Sequence, residues 1–211
     1  FEIMLPEGAR NQLVYSYGII PLRVMEDLNL ATAVTFLTAM FLHGGFLHIL
    51  SNMLYLYIFG DNVEDTLGHF FYIVFYLVCG MGASLAQILA DPTSPSPSIG
   101  ASGAIAGVLG AYVVFFPTAR VQSLVLLGYF ARLVELPALL VLGSWFVLQF
   151  FNGVLSLGVG QMGGVAWFAH IGGFVIGLVI AFACKLLGCK PRQPQVIIYP
   201  YMRYPPSYTQ W

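Results

Sequence analysis

The sequence predicts an all-α, polytopic transmembrane helix bundle, and three observations predict it. Hydrophobic residues make up 59% of the chain and charged residues only 8%, against about a quarter charged in soluble domains. Five stretches approach the roughly 20 apolar residues that a helix needs to cross a bilayer core. The longest uncharged stretch, 136–184, contains no Asp, Glu, Lys or Arg, and it is far too long for one span. A net charge of −1 argues against a nucleic-acid partner.

Taken in order, residues 1–28 have mixed charge and no clear period, and 1–35 are expected to lie as a loop region at the outer membrane surface. The first residue is Phe1 rather than Met, so the chain is expected to be a piece of a longer one. The first span is 36–59. Gly60-Asp61-Asn62-Val63-Glu64 follows as a tight loop in which Glu64 caps a helix start. The second span is 70–90. Pro92, Pro95 and Pro97 then forbid a continuing helix in the linker 91–98. The third span, 99–116, begins at Gly100-Ala101-Ser102-Gly103. Glycine punctuates, so the cluster Gly153, Gly158, Gly160, Gly163 and Gly164 divides the long apolar stretch into spans 136–157 and 165–184. These spans make one membrane domain, 36–187, followed by a Pro- and Tyr-rich tail, 188–211. No internal repeat is present.

If the spans alternate, Arg120, Arg132, Lys185, Lys190, Arg192 and Arg203 share one side, and only Arg10 and Arg23 lie on the other. The basic side is cytoplasmic, so the tail is expected there. Five spans then put Phe1 outside, and a cytoplasmic native N-terminus needs one more helix before it. Cys79, Cys184 and Cys189 read as isolated thiols, forming neither a metal spacing nor a disulfide framework.

Two residues stand out chemically. Ser102 sits where the linker turns into a helix, and a helix N-terminus offers unpaired N–H groups to a developing oxyanion. His170 interrupts an apolar span, and an intramembrane ionisable residue is a functional hypothesis by default. Ser102, Ala106 and Gly110, with Gly103 and Gly107 beside them, form one stripe of small residues. Ala166, His170, Gly173, Gly177 and Ala181 form another. Such stripes let transmembrane helices approach closely, which can bring the Ser102 hydroxyl to the His170 imidazole. The plainer readings are an N-cap for Ser102 and a structural interhelical hydrogen bond for His170.

His48 and Asn52 are spaced i, i+4 and share a helix face. Both can donate hydrogen bonds, so two donors beside Ser102 would make an oxyanion hole. The alternatives are polar helix glue or a metal site, which lacks a third ligand of suitable spacing. His69 reads as a solvated helix end, and Gln87 and Gln149 as interhelix glue.

Together, His43-Gly44-Gly45-Phe46-Leu47-His48-Ile49-Leu50-Ser51-Asn52, Gly60-Asp61-Asn62-Val63-Glu64, Gly100-Ala101-Ser102-Gly103 and Ala169-His170-Ile171-Gly172-Gly173 resemble the rhomboid intramembrane serine proteases. The resemblance covers about 15–187. It implies a rhomboid-like bundle whose six-helix core has five spans here, the first preceding Phe1. It implies that Ser102 is the nucleophile and His170 its general base. His48, Asn52 and the Ser102 N–H would hold the oxyanion, His43 would support the site, and Gly100 and Gly103 would shape the chain around the serine. It implies no cofactor or metal, single-span membrane proteins as substrates, contact with lipid, and a multi-pass place in a bacterial inner membrane.

The chain departs from the family pattern in places. No Trp-Arg pair occurs in 1–42, and Ala106 stands where some members place an aromatic under the histidine ring, so Phe168 or Phe174 is expected to support it. With no acid to orient His170, packing must do so. Residues 153–164 are expected to be a mobile cap over a water-accessible cavity. The rival reading is a non-catalytic protein that binds transmembrane helices. A transporter would want carboxylates within the spans, and none is there.

Overall fold

The computed structural model describes residues 4–127, 130–159 and 165–191. Phe1, Gly160, Gly163, Gly164 and most of the expected tail, with Arg192 and Arg203, lie outside the described residues. Among those described, the protein is mostly helical, as predicted. Helices α6 (His69–Ala90), α8 (Ala138–Val159) and α9 (Trp167–Leu186) are long and apolar enough to cross a membrane. The chain is therefore an integral, multi-pass membrane protein.

The N-terminal region, expected to be without regular structure, forms α1 (Glu7–Tyr17) and α2 (Pro21–Glu26). Pro21 occupies the first turn of α2, where its missing N–H costs nothing. Helix α3 (Leu30–Thr38) opens with a capping box between Asn29 and Thr32, each side chain satisfying the other's backbone N–H.

The expected single span 36–59 is instead broken. Helix α3 continues through a 3₁₀ turn, Ala39–Phe41, and α4 (Phe46–Tyr55) starts in a new direction. The two arms are bent by 79°. The break falls at His43-Gly44-Gly45, where the glycines give the backbone room to turn before Phe46. Helix α4 passes through a π turn, Leu56–Gly60, into α5 (Asp61–Leu67). The expected tight loop at Gly60-Asp61-Asn62-Val63-Glu64 is thus helical. Glu64 lies inside α5 rather than capping the next helix. The real stop is Gly68 at φ +80°, whose N–H bonds the Glu64 carbonyl at 2.6 Å, a conformation open chiefly to glycine.

Helix α7 (Ser102–Phe115) is the centre of the bundle. Most of its residues from Gly103 to Phe115 are buried, as a helix apolar all round must be. At 1.5 Å per residue its 14 residues are about 21 Å long, short of the roughly 30 Å hydrocarbon core. The Lys185 ammonium on α9 donates to the Val114 carbonyl at 3.4 Å, placing a charge at the C-terminal end of α7. Helix α7 is therefore too short to cross such a core by itself.

A two-stranded antiparallel hairpin, β1 (Arg120–Leu127) and β2 (Phe130–Pro137), joins α7 to α8. It is absent from the all-helical expectation, and it moves the start of the fourth apolar span from 136 to Ala138. Cys184 and Cys189, expected to be isolated, form a disulfide with Cα atoms 5.3 Å apart. Gly188 at φ +95° turns the chain back, and the Cys189 N–H reaches the Cys184 carbonyl at 2.9 Å.

Candidate active site

The segment before Ser102 is held from three sides. Ile19 and Ser98 exchange backbone hydrogen bonds of 3.0 and 2.8 Å, and the Leu22 N–H donates to the Ser94 carbonyl at 3.0 Å. The Gly100 N–H donates to the Ala39 carbonyl at 2.9 Å. Gly100 itself has φ +123°, and a Cβ there would lie 2.8 Å from His48 Nε2, so both conformation and space demand glycine. The chain then enters α7 at Ser102, where the first N–H groups have no partner within the helix.

His170 arrives on α9. Gln87 of α6 caps that helix: its Oε1 accepts from the Phe168 and Ala169 N–H groups at 3.1 and 3.3 Å. The two small-residue stripes meet directly. A Cβ on Gly173 would strike the Gly103 carbonyl, and one on Gly177 the Gly107 carbonyl. A Cβ on Gly103 would lie 2.6 Å from that of Ala83, so Gly103 also admits α6. With backbones in contact, the Ser102 Oγ and His170 Nε2 stand 2.8 Å apart.

Support for the imidazole differs from the expectation. Neither Phe168 nor Phe174 lies against it. Trp145 of α8 packs at 5.8 Å between ring centroids, and Trp167 meets it edge-on at 6.4 Å. Phe174 instead meets Trp145, tilted, at 6.2 Å between ring centroids. The Gln149 Oε1, one turn along α8 from Trp145, lies 2.8 Å from His170 Nδ1. Packing is thus not the only thing that orients the ring. Sequence reasoning assigns Gln149 only to interhelix glue; the signal that could have found it is a polar residue at i+4 from a tryptophan in an otherwise apolar helix.

His48 and Asn52 project from α4. The Gly44 N–H donates to His48 Nδ1 at 3.2 Å, which leaves the proton on Nε2, the atom facing Gly100. His43, buried, packs edge-on against His48 at 5.2 Å. Asn52 is buried, and its Nδ2 has no hydrogen-bond partner among the described residues. Ser102, His170, His48 and Asn52 all line one cavity of about 580 Å³, walled by α4 on one side and by Trp145 and α9 on the other. The expected cap falls partly outside the described residues, and Gly153 lies within α8, packed on Trp167 and Ile171. His69 is exposed and its Nδ1 lies 2.6 Å from Glu64 Oε1. Among the described residues no group of three or more His, Cys, Asp or Glu could hold a metal ion.

A family model described as a rhomboid domain matches residues 31–186. RHOMBOID-like protein 5 of Arabidopsis thaliana is 33% identical over 150 residues, covering 71% of this chain and 43% of the relative. Rhomboid-like protein 11, chloroplastic, of the same plant is 37% identical over 98 residues, 45% of this chain and 35% of the relative. Rhomboid protein 1, mitochondrial, of Saccharomyces cerevisiae is 28% identical over 167 residues, 76% and 44% respectively. The chain spans less than half the length of each of these relatives.

Proposed function

The chain belongs to the rhomboid family, and from that premise we propose that it is an intramembrane serine endopeptidase acting on single-span membrane proteins. The observation that carries this reading is the 2.8 Å contact between Ser102 Oγ and His170 Nε2 at the N-terminal end of α7. A hydroxyl and an imidazole in that relation are a nucleophile and its base.

Ser102 Oγ attacks the peptide carbonyl carbon while His170 Nε2 takes its proton. His170 then passes the proton to the leaving amine, and water entering through the cavity hydrolyses the acyl-enzyme by the same route. We assign the oxyanion to three donors whose residues line the same cavity: the Ser102 N–H, His48 Nε2 and Asn52 Nδ2. The buried, unpartnered Asn52 amide supports that role, since a buried donor without a partner is costly unless something accepts from it. A substrate helix must unwind to present its carbonyl, because a helical peptide bond is hydrogen-bonded and shielded. The excess of Lys and Arg in 120–132 and 185–203 supports a cytoplasmic C-terminus, a reducing compartment in which Cys184 and Cys189 would be held as thiols.

Labelling with a fluorophosphonate probe tests the reading. Wild type is expected to react, and Ser102→Ala and His170→Ala to be silent at unchanged unfolding temperature. A folded wild type that stays unlabelled would instead favour a member that binds transmembrane helices without cutting them.

A further inference from the structure

The imidazole of His170 is held at both nitrogens, and only one of its contacts belongs to the serine. Nε2 faces Ser102 Oγ at 2.8 Å and Nδ1 faces Gln149 Oε1 at 2.8 Å. A carboxamide oxygen accepts and cannot donate. The proton of the neutral ring must then sit on Nδ1, which leaves the Nε2 lone pair free to accept from the serine hydroxyl. We propose that Gln149 is the positioning residue of this site, fixing the catalytic tautomer and the orientation of His170. The inference deepens the protease reading and rests on it for its catalytic meaning.

The surroundings suit that task. Gln149 is only 7% exposed, so water does not compete for its oxygen. Trp145 and Gly153 lie one turn to either side on the same face of α8. Trp145 packs on the imidazole, and Gly153 lets α9 come close at Trp167 and Ile171. Helix α8 thus presents a ring, an acceptor and a gap in register with His170. The chemistry fits the depth as well. During attack the ring becomes an imidazolium with donors at both nitrogens, and the Nδ1–H bond to the carboxamide strengthens as that charge develops. A carboxylate in the same place would stabilise the cation more, but an ionised acid at membrane depth is costly before the reaction begins. A neutral acceptor supplies direction without that cost. The opposite rotamer of the amide would present its NH₂ to Nδ1, move the ring proton to Nε2 and leave His170 unable to act as a base, so the arrangement makes a definite claim.

The test reads the tautomer directly. The chain has four histidines, so ¹⁵N-histidine labelling gives a simple spectrum, and His170→Ala identifies the His170 signals by their loss. The expected wild-type pattern is a protonated, pyrrole-type Nδ1 and a pyridine-type Nε2. Gln149→Met keeps the length and volume without the strong acceptor. It should shift His170 away from that tautomer and slow fluorophosphonate labelling about 10–10²-fold, less than the ~10⁴-fold seen when a catalytic histidine is held in the wrong tautomer. Gln149→Glu restores an oxygen acceptor and should recover part of the rate. A pyrrole-type Nε2 in the wild type would overturn the proposal, as would wild-type labelling by Gln149→Met. If Gln149→Met fails to fold, the wild-type spectrum alone decides. A wild type that stays unlabelled, with Nδ1 protonated there and shifted from that tautomer in Gln149→Met, would uphold the positioning by Gln149 while sinking the protease reading.

Discussion

Gly173 rests its α-carbon on the carbonyl of Gly103, so α7 and α9 touch backbone to backbone one turn from the Ser102–His170 pair. No side chain fits there without pushing the helices apart. Gly173→Val is expected to cost about 3 kcal/mol through overpacking and to abolish fluorophosphonate labelling. A methyl group added at Gly143 on α8 would meet nothing within 4 Å, so Gly143→Ala should be neutral or stabilise by up to about 1 kcal/mol. Thermal unfolding in detergent separates the two; equal effects would mean that close approach is not what holds the pair.

Gly100→Ala should impair the site from a different direction. The residue sits at φ +123° with His48 against its α-carbon, so alanine meets both backbone strain of about 1–3 kcal/mol and a displaced imidazole. Labelling should fall along with the unfolding temperature. Activity at the wild-type level would show that His48 has no part in the reaction.

Asn52→Ala should behave otherwise. Its Nδ2 has no hydrogen-bond partner to lose among the described residues, so the unfolding temperature should hold. The labelling rate should drop about 10²–10³-fold, the usual cost of one oxyanion donor. A large loss of stability with an unaffected rate would identify Asn52 as helix glue instead.

Gln87→Leu removes the acceptor that caps the start of α9. The Ala169 N–H keeps the Ala166 carbonyl at 3.1 Å, so one N–H, that of Phe168, is left without an acceptor. The expected cost is about 1–3 kcal/mol, with loss of rate following from a frayed start of the helix that carries His170. His69→Ala provides the contrast: its exposed contact with Glu64 should matter little for either measurement, as surface pairs usually do.

What can be read from the chain depends on how local each signal is. The stripes bearing Ser102 and His170 repeat at helical spacing, so sequence alone puts the two residues on facing helices. The bend at Gly44-Gly45 is hidden because His43-Gly44-Gly45 is too short a break to divide the apolar run from Phe36 to Phe59 into two spans, and hydropathy carries no record of direction. The hairpin from Arg120 to Pro137 is hidden because its apolar residues lie on both faces and lack a clean alternation. Gln149 is conspicuous as a polar residue but cannot be placed, since an apolar helix does not reveal which way it is rotated. The Cys184–Cys189 bridge depends on the backbone reversal at Gly188, which residue spacing alone does not announce.

Helix α7 has a consequence for how the protein is made. Its walls are α6 and α9, and with 14 residues it is too short to span a bilayer core by itself. Yet α9 leaves the ribosome only after α7, α8 and the hairpin between them. The helix that carries the serine must therefore wait, half-sheltered, for a wall that has not yet been synthesised. The order of assembly is not the order of translation, and a defect in α9 becomes a defect in the biogenesis of α7 before it is ever a defect in chemistry.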